Sequence, residues 1–225
     1  MYRVISFDLF ATLVSLDAII PTVWERVLGR ELSAQEVAAC ASGLSKCYMP
    51  VYHNIHKPPF VSMRKLFRGG FEKYFREAGI EEDPERAADI FIEEHNHCPL
   101  YPDAVRLLTA LEKSPYRVVV STDADEGMVH GLLEKIPHEA AFVSETLGVY
   151  KSNEENAFFN AVLEKTGAKP DEILHVGDGR PDIIGGKRAG LTVCHINRGK
   201  GVPETPGFEA DMFVKSLDEL GNILL

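Results

Sequence analysis

"RVISFDLFATLV", residues 3–14, is an apolar run broken by a single carboxylate, Asp8, just where a strand-like segment ends. Burying a charge there is costly unless something holds it, so the run poses a question of chemistry as well as of fold. Val-, Ile- and Phe-rich runs recur at 117–120, 140–143, 173–176 and 191–196. Each is short, bounded by polar residues or glycine, and separated from the next by helix-like periodicity. That is the βα alternation of a parallel sheet.

The helices between the runs carry their own signals. In "PDAVRLLTALEK" (102–113), Val105, Leu108 and Leu111 fall in line after Pro102, which suits a first turn. Ser152 and Glu155 have capping-box spacing ahead of "NAFFNAVLEK" (156–165). Gly190 is expected to end the helix begun at Pro181 and release the chain into "LTVCHI". Residues 15–97 behave differently: 17–30, 33–47, 62–79 and 83–96 look helical, and no buried strand follows any of them. "YMPVYHNIHKPPF" (48–60) reads as irregular. The pattern predicts an α/β protein with a Rossmann-like parallel-sheet core, residues 1–14 and 98–225, and a helical insertion, 15–97, after the first strand.

Composition narrows the function. At 225 residues, 45% hydrophobic and 26% charged, the chain is an ordinary globular protein. Its 24 Lys and Arg against 34 Asp and Glu leave a net charge of −10, which argues against nucleic acid or an anionic membrane as partner and for a small molecule. Cys40, Cys47, Cys98 and Cys194 are scattered without a CxxC pair, so reduced thiols in a cytoplasm are expected. No apolar stretch reaches the length of a membrane span, and no signal-peptide pattern precedes the first strand.

In open α/β sheets, chemistry collects at the carboxyl ends of the strands. Four such ends carry polar groups: Asp8 and Thr12, Ser121 and Thr122, Lys151, and "GDGRPD" with Asp178 and Asp182. In their order and separation these segments resemble the motifs of the haloacid dehalogenase superfamily, hydrolases that are mostly phosphatases. "DLFAT" matches its nucleophile motif, Ser121 its Ser/Thr motif, Lys151 its lysine, and Gly177, Asp178 and Asp182 its GDxxxD. The resemblance implies Asp8 as nucleophile, Thr12, Ser121 and Lys151 as catalytic, and Ser121, Thr122, Lys151 and Phe10 against the substrate. It also implies Mg²⁺ held by Asp8, the Phe10 backbone carbonyl, Asp178 and Asp182, and a helical cap at 15–97.

The residue types make sense on their own terms. A carboxylate attacking phosphorus splits one hard displacement into two easier ones. A phosphate dianion beside three carboxylates needs a cation, and an all-oxygen site suits Mg²⁺. Lys151 adds a second positive charge. Asp178 and Asp182, four apart at a helix start, are expected on one face, which lets one bind metal while the other orients a ligand or pairs with Lys151.

One residue departs from the pattern. Phe10 stands where phosphatase members have a second aspartate that serves as general acid and base. An aromatic there is the dehalogenase version, since a halide leaves without a proton, whereas Gly177-Asp178 is the metal-binding version. Three functions stay open: a phosphatase slowed at Phe10, a 2-haloacid dehalogenase, and a weakly active or inactive member that binds a phosphorylated ligand or a protein. His95 and His97 have HxH spacing without an evident third ligand. Tyr52, His53, His56 and Lys57 are candidate specificity residues, set against their reading as an ordinary surface loop.

Overall fold

The computed structural model describes residues 1–54, 57–199 and 201–225. Strand β1 (Val4–Phe7) is followed by four helices, α1 (Ile20–Leu28), α2 (Ala34–Tyr52), α3 (Met63–Ala78) and α4 (Pro84–His95). After α5 (Pro102–Leu111), strands and helices alternate: β2 (Arg117–Thr122), α6 (Glu126–Leu133), β3 (Ala140–Val143), α7 (Ser144–Leu147), α8 (Ala157–Thr166), β4 (Ile173–Gly177), α9 (Arg180–Arg188) and β5 (Thr192–Ile196). Strand β6 (Met212–Val214) and helix α10 (Leu217–Leu224) complete the chain.

All six strands pair in parallel, in the order β3-β2-β1-β4-β5-β6. β1 and β4 are buried throughout, because α5, α6 and α10 pack on one face of the sheet and α8 and α9 on the other. Burial on both faces explains why these strands read as continuous apolar runs. β1 lies between β2 and β4, where the strand order reverses, so a crevice opens at its carboxyl end. Among the described residues, none of 15–97 contributes to the sheet. The chain leaves and returns at one neck, where Ser15 N–H donates to the Pro99 carbonyl (2.9 Å) and Tyr101 N–H to that of Leu13 (2.9 Å).

The four intervening helices share one aromatic core, with Trp24, Phe67, Phe71, Phe75 and Phe91 all buried. Three of them start at the expected residues: Ser33 with Glu36 forms a capping box, and Ser62 and Asp83 cap α3 and α4; α1, expected from residue 17, begins at Ile20 without a side-chain cap.

Three expectations are corrected. α2 runs through Pro50 to Tyr52, so residues 48–52 of the stretch read as irregular are helical. Edge contacts between the Tyr48 and Phe67 rings (5.3 Å) and the Tyr52 and Tyr150 rings (6.4 Å) hold its last turn against neighbours. Ser152 and Glu155 form no capping box; Asn153 Oδ1 instead accepts from the N–H groups of Glu155 and Ala157, both at 3.1 Å. β6, which no apolar run announces, is an edge strand of three residues. No helix among the described residues is long and apolar enough to cross a membrane.

Candidate active site

Asp8 is the first residue past β1, and its N–H still reaches across to the Val176 carbonyl (2.8 Å), so the sheet itself fixes its backbone. The chain then turns sharply. Ala11 takes a left-handed conformation (φ 60°) and its N–H donates to the Val14 carbonyl (2.8 Å). The turn leaves the Asp8 carboxylate at the strand end, 5% exposed.

Lys151 comes to meet it. Its Nζ donates to Asp8 Oδ1 (2.7 Å) and to Asp182 Oδ1 (2.5 Å), and the lysine side chain is 3% exposed. The approach depends on Gly185 in α9, where a Cβ would lie 2.0 Å from the Lys151 carbonyl oxygen. Asp182, in the first turn of α9, accepts at Oδ2 from Gly179 N–H (3.0 Å) and contacts His175 Nε2 at Oδ1 (3.0 Å). Behind them the network continues through Ser6, whose hydroxyl lies 2.9 Å from both His175 Nδ1 and Ser121 Oγ. One end of this buried chain is therefore the nucleophile candidate, and the other lies between strands.

The electrostatics follow from burial. Desolvation opposes the charge on Lys151, but Asp182, Asp8 and Asp123 outweigh it and hold the lysine protonated. Burial likewise opposes ionisation of Asp182, and Lys151 with the His175 hydrogen bond overcomes it, leaving this carboxyl well below the usual range. Asp8 goes the other way: burial pushes it up, Lys151 pulls it down, and the charge of Asp182 pushes it up again. Lys151 thus keeps Asp182 ionised more firmly than Asp8.

Asp8, Asp178 and Asp182 each present a carboxylate oxygen within 4.8 Å of the others, the only such group of potential metal ligands among the described residues. Its donors are all oxygen, the set that suits a hard divalent cation. Asp178 lies before α9 and Asp182 within it, so the two converge through the turn at Gly179 and not along one helix face.

These groups open onto a cavity of about 550 Å³, walled on the sheet side by Asp8, Phe10, Thr122, Asp123, Lys151 and Asp178. The helices supply an apolar wall that includes Ile20, Tyr48, Met49, Phe67 and Phe91. Ser121 does not line the cavity. It is fully buried against Ser6, because adjacent side chains of β2 point to opposite faces and Thr122 takes the cavity side. Thr122 Oγ1 is buried there without a hydrogen-bond partner. Thr12 is also fully buried and outside the cavity wall; its carbonyl accepts from Arg198 Nη2 (2.8 Å).

Among the specificity candidates, Tyr52 and His53 line the cavity. Lys57 is exposed and sits 3.7 Å from Glu154, and His56 lies outside the described residues. The HxH pair does not converge: His95 faces the cavity and packs edge-on against Phe10 (5.0 Å), while His97 is exposed. Sequence reasoning missed Asp123, although it follows Ser121 and Thr122 directly at a strand end.

A family model for haloacid dehalogenase-like hydrolases matches residues 2–190, a span that includes every strand-end group described above. The chain belongs to this family. Among relatives of this haloacid dehalogenase-like hydrolase, pyrimidine 5'-nucleotidase YjjG of Escherichia coli is 30% identical over 189 residues, covering 77% of this chain and 80% of that one. (S)-2-haloacid dehalogenase 4A of Burkholderia cepacia is 24% identical over 147 residues, 64% of this chain and 63% of that one. The crystal structure of the putative HAD-hydrolase YfnB from Bacillus subtilis, bound to magnesium, superposes with a TM-score of 0.84 at 21% identity, covering 99% of this chain and 98% of that one. The fold is therefore shared closely, and relatives of both chemistries lie within reach.

Proposed function

We propose that this hydrolase is a Mg²⁺-dependent phosphatase acting on a small phosphorylated compound, with residues 15–97 serving as a cap over the site. The observation that carries the reading is the oxygen cluster of Asp8, Asp178 and Asp182 beside a buried, charged Lys151. Asp8, Asp178, Asp182 and the Phe10 carbonyl would hold the ion. Mg²⁺ bound there would offset the charge of a phosphate dianion next to three carboxylates.

The protein's own groups do the rest. Asp8 attacks phosphorus, the bond to the ester oxygen breaks, and an aspartyl phosphate forms; water then displaces Asp8 and releases phosphate. Lys151 orients Asp8 and neutralises charge that develops on the phosphoryl oxygens, and the free Thr122 hydroxyl can donate to one of them. Phosphatase names among the relatives, a pyrimidine 5'-nucleotidase and a phosphoserine phosphatase, support this chemistry. The four free cysteines fit a reducing compartment such as a cytoplasm.

Phe10 favours a second reading, a 2-haloacid dehalogenase. Against it stands Asp178, which that chemistry does not require. Among the described residues, helices α1 to α4 bring no lysine or arginine to the cavity wall; its cations are Lys151, already held by two carboxylates, and Arg180 at the start of α9. Phosphate esters and 2-haloacids assayed with and without Mg²⁺ separate the readings. Mg²⁺-dependent phosphate release, abolished in Asp8→Asn, is the expected result. Halide release without metal would establish the second reading, and no turnover of either class would leave a binding protein.

A further inference from the structure

The phosphatase reading needs a group that protonates the departing ester oxygen and later takes a proton from water, and Phe10 can do neither. The cavity wall offers few others. Lys151 and Asp182 are locked to each other, and Asp178 is assigned to the metal. Asp17 and His53 are exposed on the cap side of the cavity. His95 Nδ1 is 2.5 Å from the Phe91 carbonyl, so its N–H points there and Nε2 holds a lone pair; burial pushes the ring down to about 4. The Tyr52 phenol is pushed up by burial and by Asp123, so a proton lost from it would leave a costly anion.

Asp123 remains. It lies next to Thr122 at the end of β2 and lines the same cavity as Asp8 and Lys151, yet is only 9% exposed. Its Oδ1 accepts from the backbone N–H of Lys151 (2.8 Å), which fixes the carboxyl plane, while Oδ2 has no hydrogen-bond partner. We propose that Asp123 is the general acid and base of this site, an assignment that rests on the phosphatase reading. Burial raises its carboxyl to about 7, with Lys151 pulling down and Asp182 and Asp8 pushing up. Tyr52 and Tyr150 are the other titratable groups that feel its charge. Such a carboxyl can hold a proton at neutral pH and still give it up.

As Asp8 attacks, the bond from phosphorus to the leaving oxygen breaks, and that oxygen takes the Asp123 proton and departs as an alcohol. Asp123 is now a carboxylate. It takes a proton from the water that attacks the aspartyl phosphate; the bond from phosphorus to Asp8 breaks, phosphate leaves, and both carboxyls return to their starting states.

The test compares wild type and Asp123→Asn, with Mg²⁺, on an alkyl phosphate and on 4-nitrophenyl phosphate, whose leaving group needs no proton. Asparagine keeps the acceptor for Lys151 N–H. Alkyl phosphate turnover should fall by about 10²–10⁴-fold. Nitrophenolate should appear in a burst of one per active site, followed by slow turnover, because only the second step then lacks its base. Phe10→Asp added to Asp123→Asn should recover at least about tenfold on the alkyl ester, since a carboxyl returns to the cavity. Equal losses on both esters without a burst, or no loss, would overturn the assignment and leave the phosphatase reading standing. The wild type gives an independent measure if the variants fold poorly: its kcat/KM should vary shallowly with leaving-group pKa, and a steep dependence would refute an acid in the site. No phosphate release from any ester would overturn both readings together.

Discussion

Replacing Asp123 by asparagine should change how stability depends on pH, because burial gives this carboxyl a sign opposite to that of carboxylates paired with a cation, such as Asp182. In the unfolded chain this carboxyl has its ordinary value of 3.8, and in the folded protein burial raises it to about 7. Between those values the folded state holds a proton that the unfolded state has released. Stability must therefore fall as pH rises through this window, by about 1.4 kcal/mol per pH unit. Between pH 5 and pH 8 the wild type loses about 3 kcal/mol from this group, and Asp123→Asn loses none of it. The asparagine amide occupies the place of Oδ2, which has no partner, at a pH-independent cost of about 1–3 kcal/mol. The variant should thus be weaker than wild type at pH 5 and equal or stronger at pH 8. Urea denaturation of both proteins across that range, with EDTA present so that metal does not hold the carboxylates, measures the difference directly. Curves that stay parallel within about 1 kcal/mol would refute the reasoning, because Asp123 would then ionise like an exposed aspartate and carry no proton at neutral pH.

Lys151→Met leaves Asp8 and Asp182 buried without their shared cation and should cost about 3–5 kcal/mol. Urea denaturation should show that loss shrinking when Mg²⁺ is added, and a cost below about 1 kcal/mol would contradict the buried pairing. Gly185→Ala drives a methyl group into the Lys151 backbone and should lower stability by about 1–3 kcal/mol while also reducing turnover, as read by melting and by phosphate release. Phe10→Asp places a carboxyl beside His95 and should lower any activity on 2-haloacids, which carry a negative charge themselves; a gain in halide release would refute that reasoning.

Much of this was legible from residue order. β1, β2, β3, β4 and β5 announce themselves as apolar runs because both faces of the sheet are covered, and the helix caps at Ser33, Ser62 and Asp83 are local hydrogen-bonding patterns that need no tertiary context. Asp8, Lys151 and Asp178 stand in loops after or between those runs and Asp182 in the first turn of the helix that follows, and a parallel sheet brings all such strand-to-helix junctions to one edge. The same continuity of apolar residues hides the phase of a strand. Nothing in "RVVVST" says which of Ser121 and Thr122 faces the cavity, since a strand buried on both faces has no polar alternation to read. β6 was invisible because three residues at a sheet edge carry too little pattern, and α2 outran its apparent stop because aromatic packing from other elements holds the turn that contains Pro50.

The sequence alone therefore determined the fold, the family and the order of the charged groups around the site, because these depend on local pattern and on rules of connection. Which of those groups is tied down, and which still has a proton to move, depended on tertiary structure. Lys151 is engaged by two carboxylates more than thirty residues away in either direction, whereas Asp123 is held by one backbone N–H and otherwise shut away from water. Desolvation and pairing arise only when distant segments close around a side chain, so no spacing along the chain encodes the charge state that results.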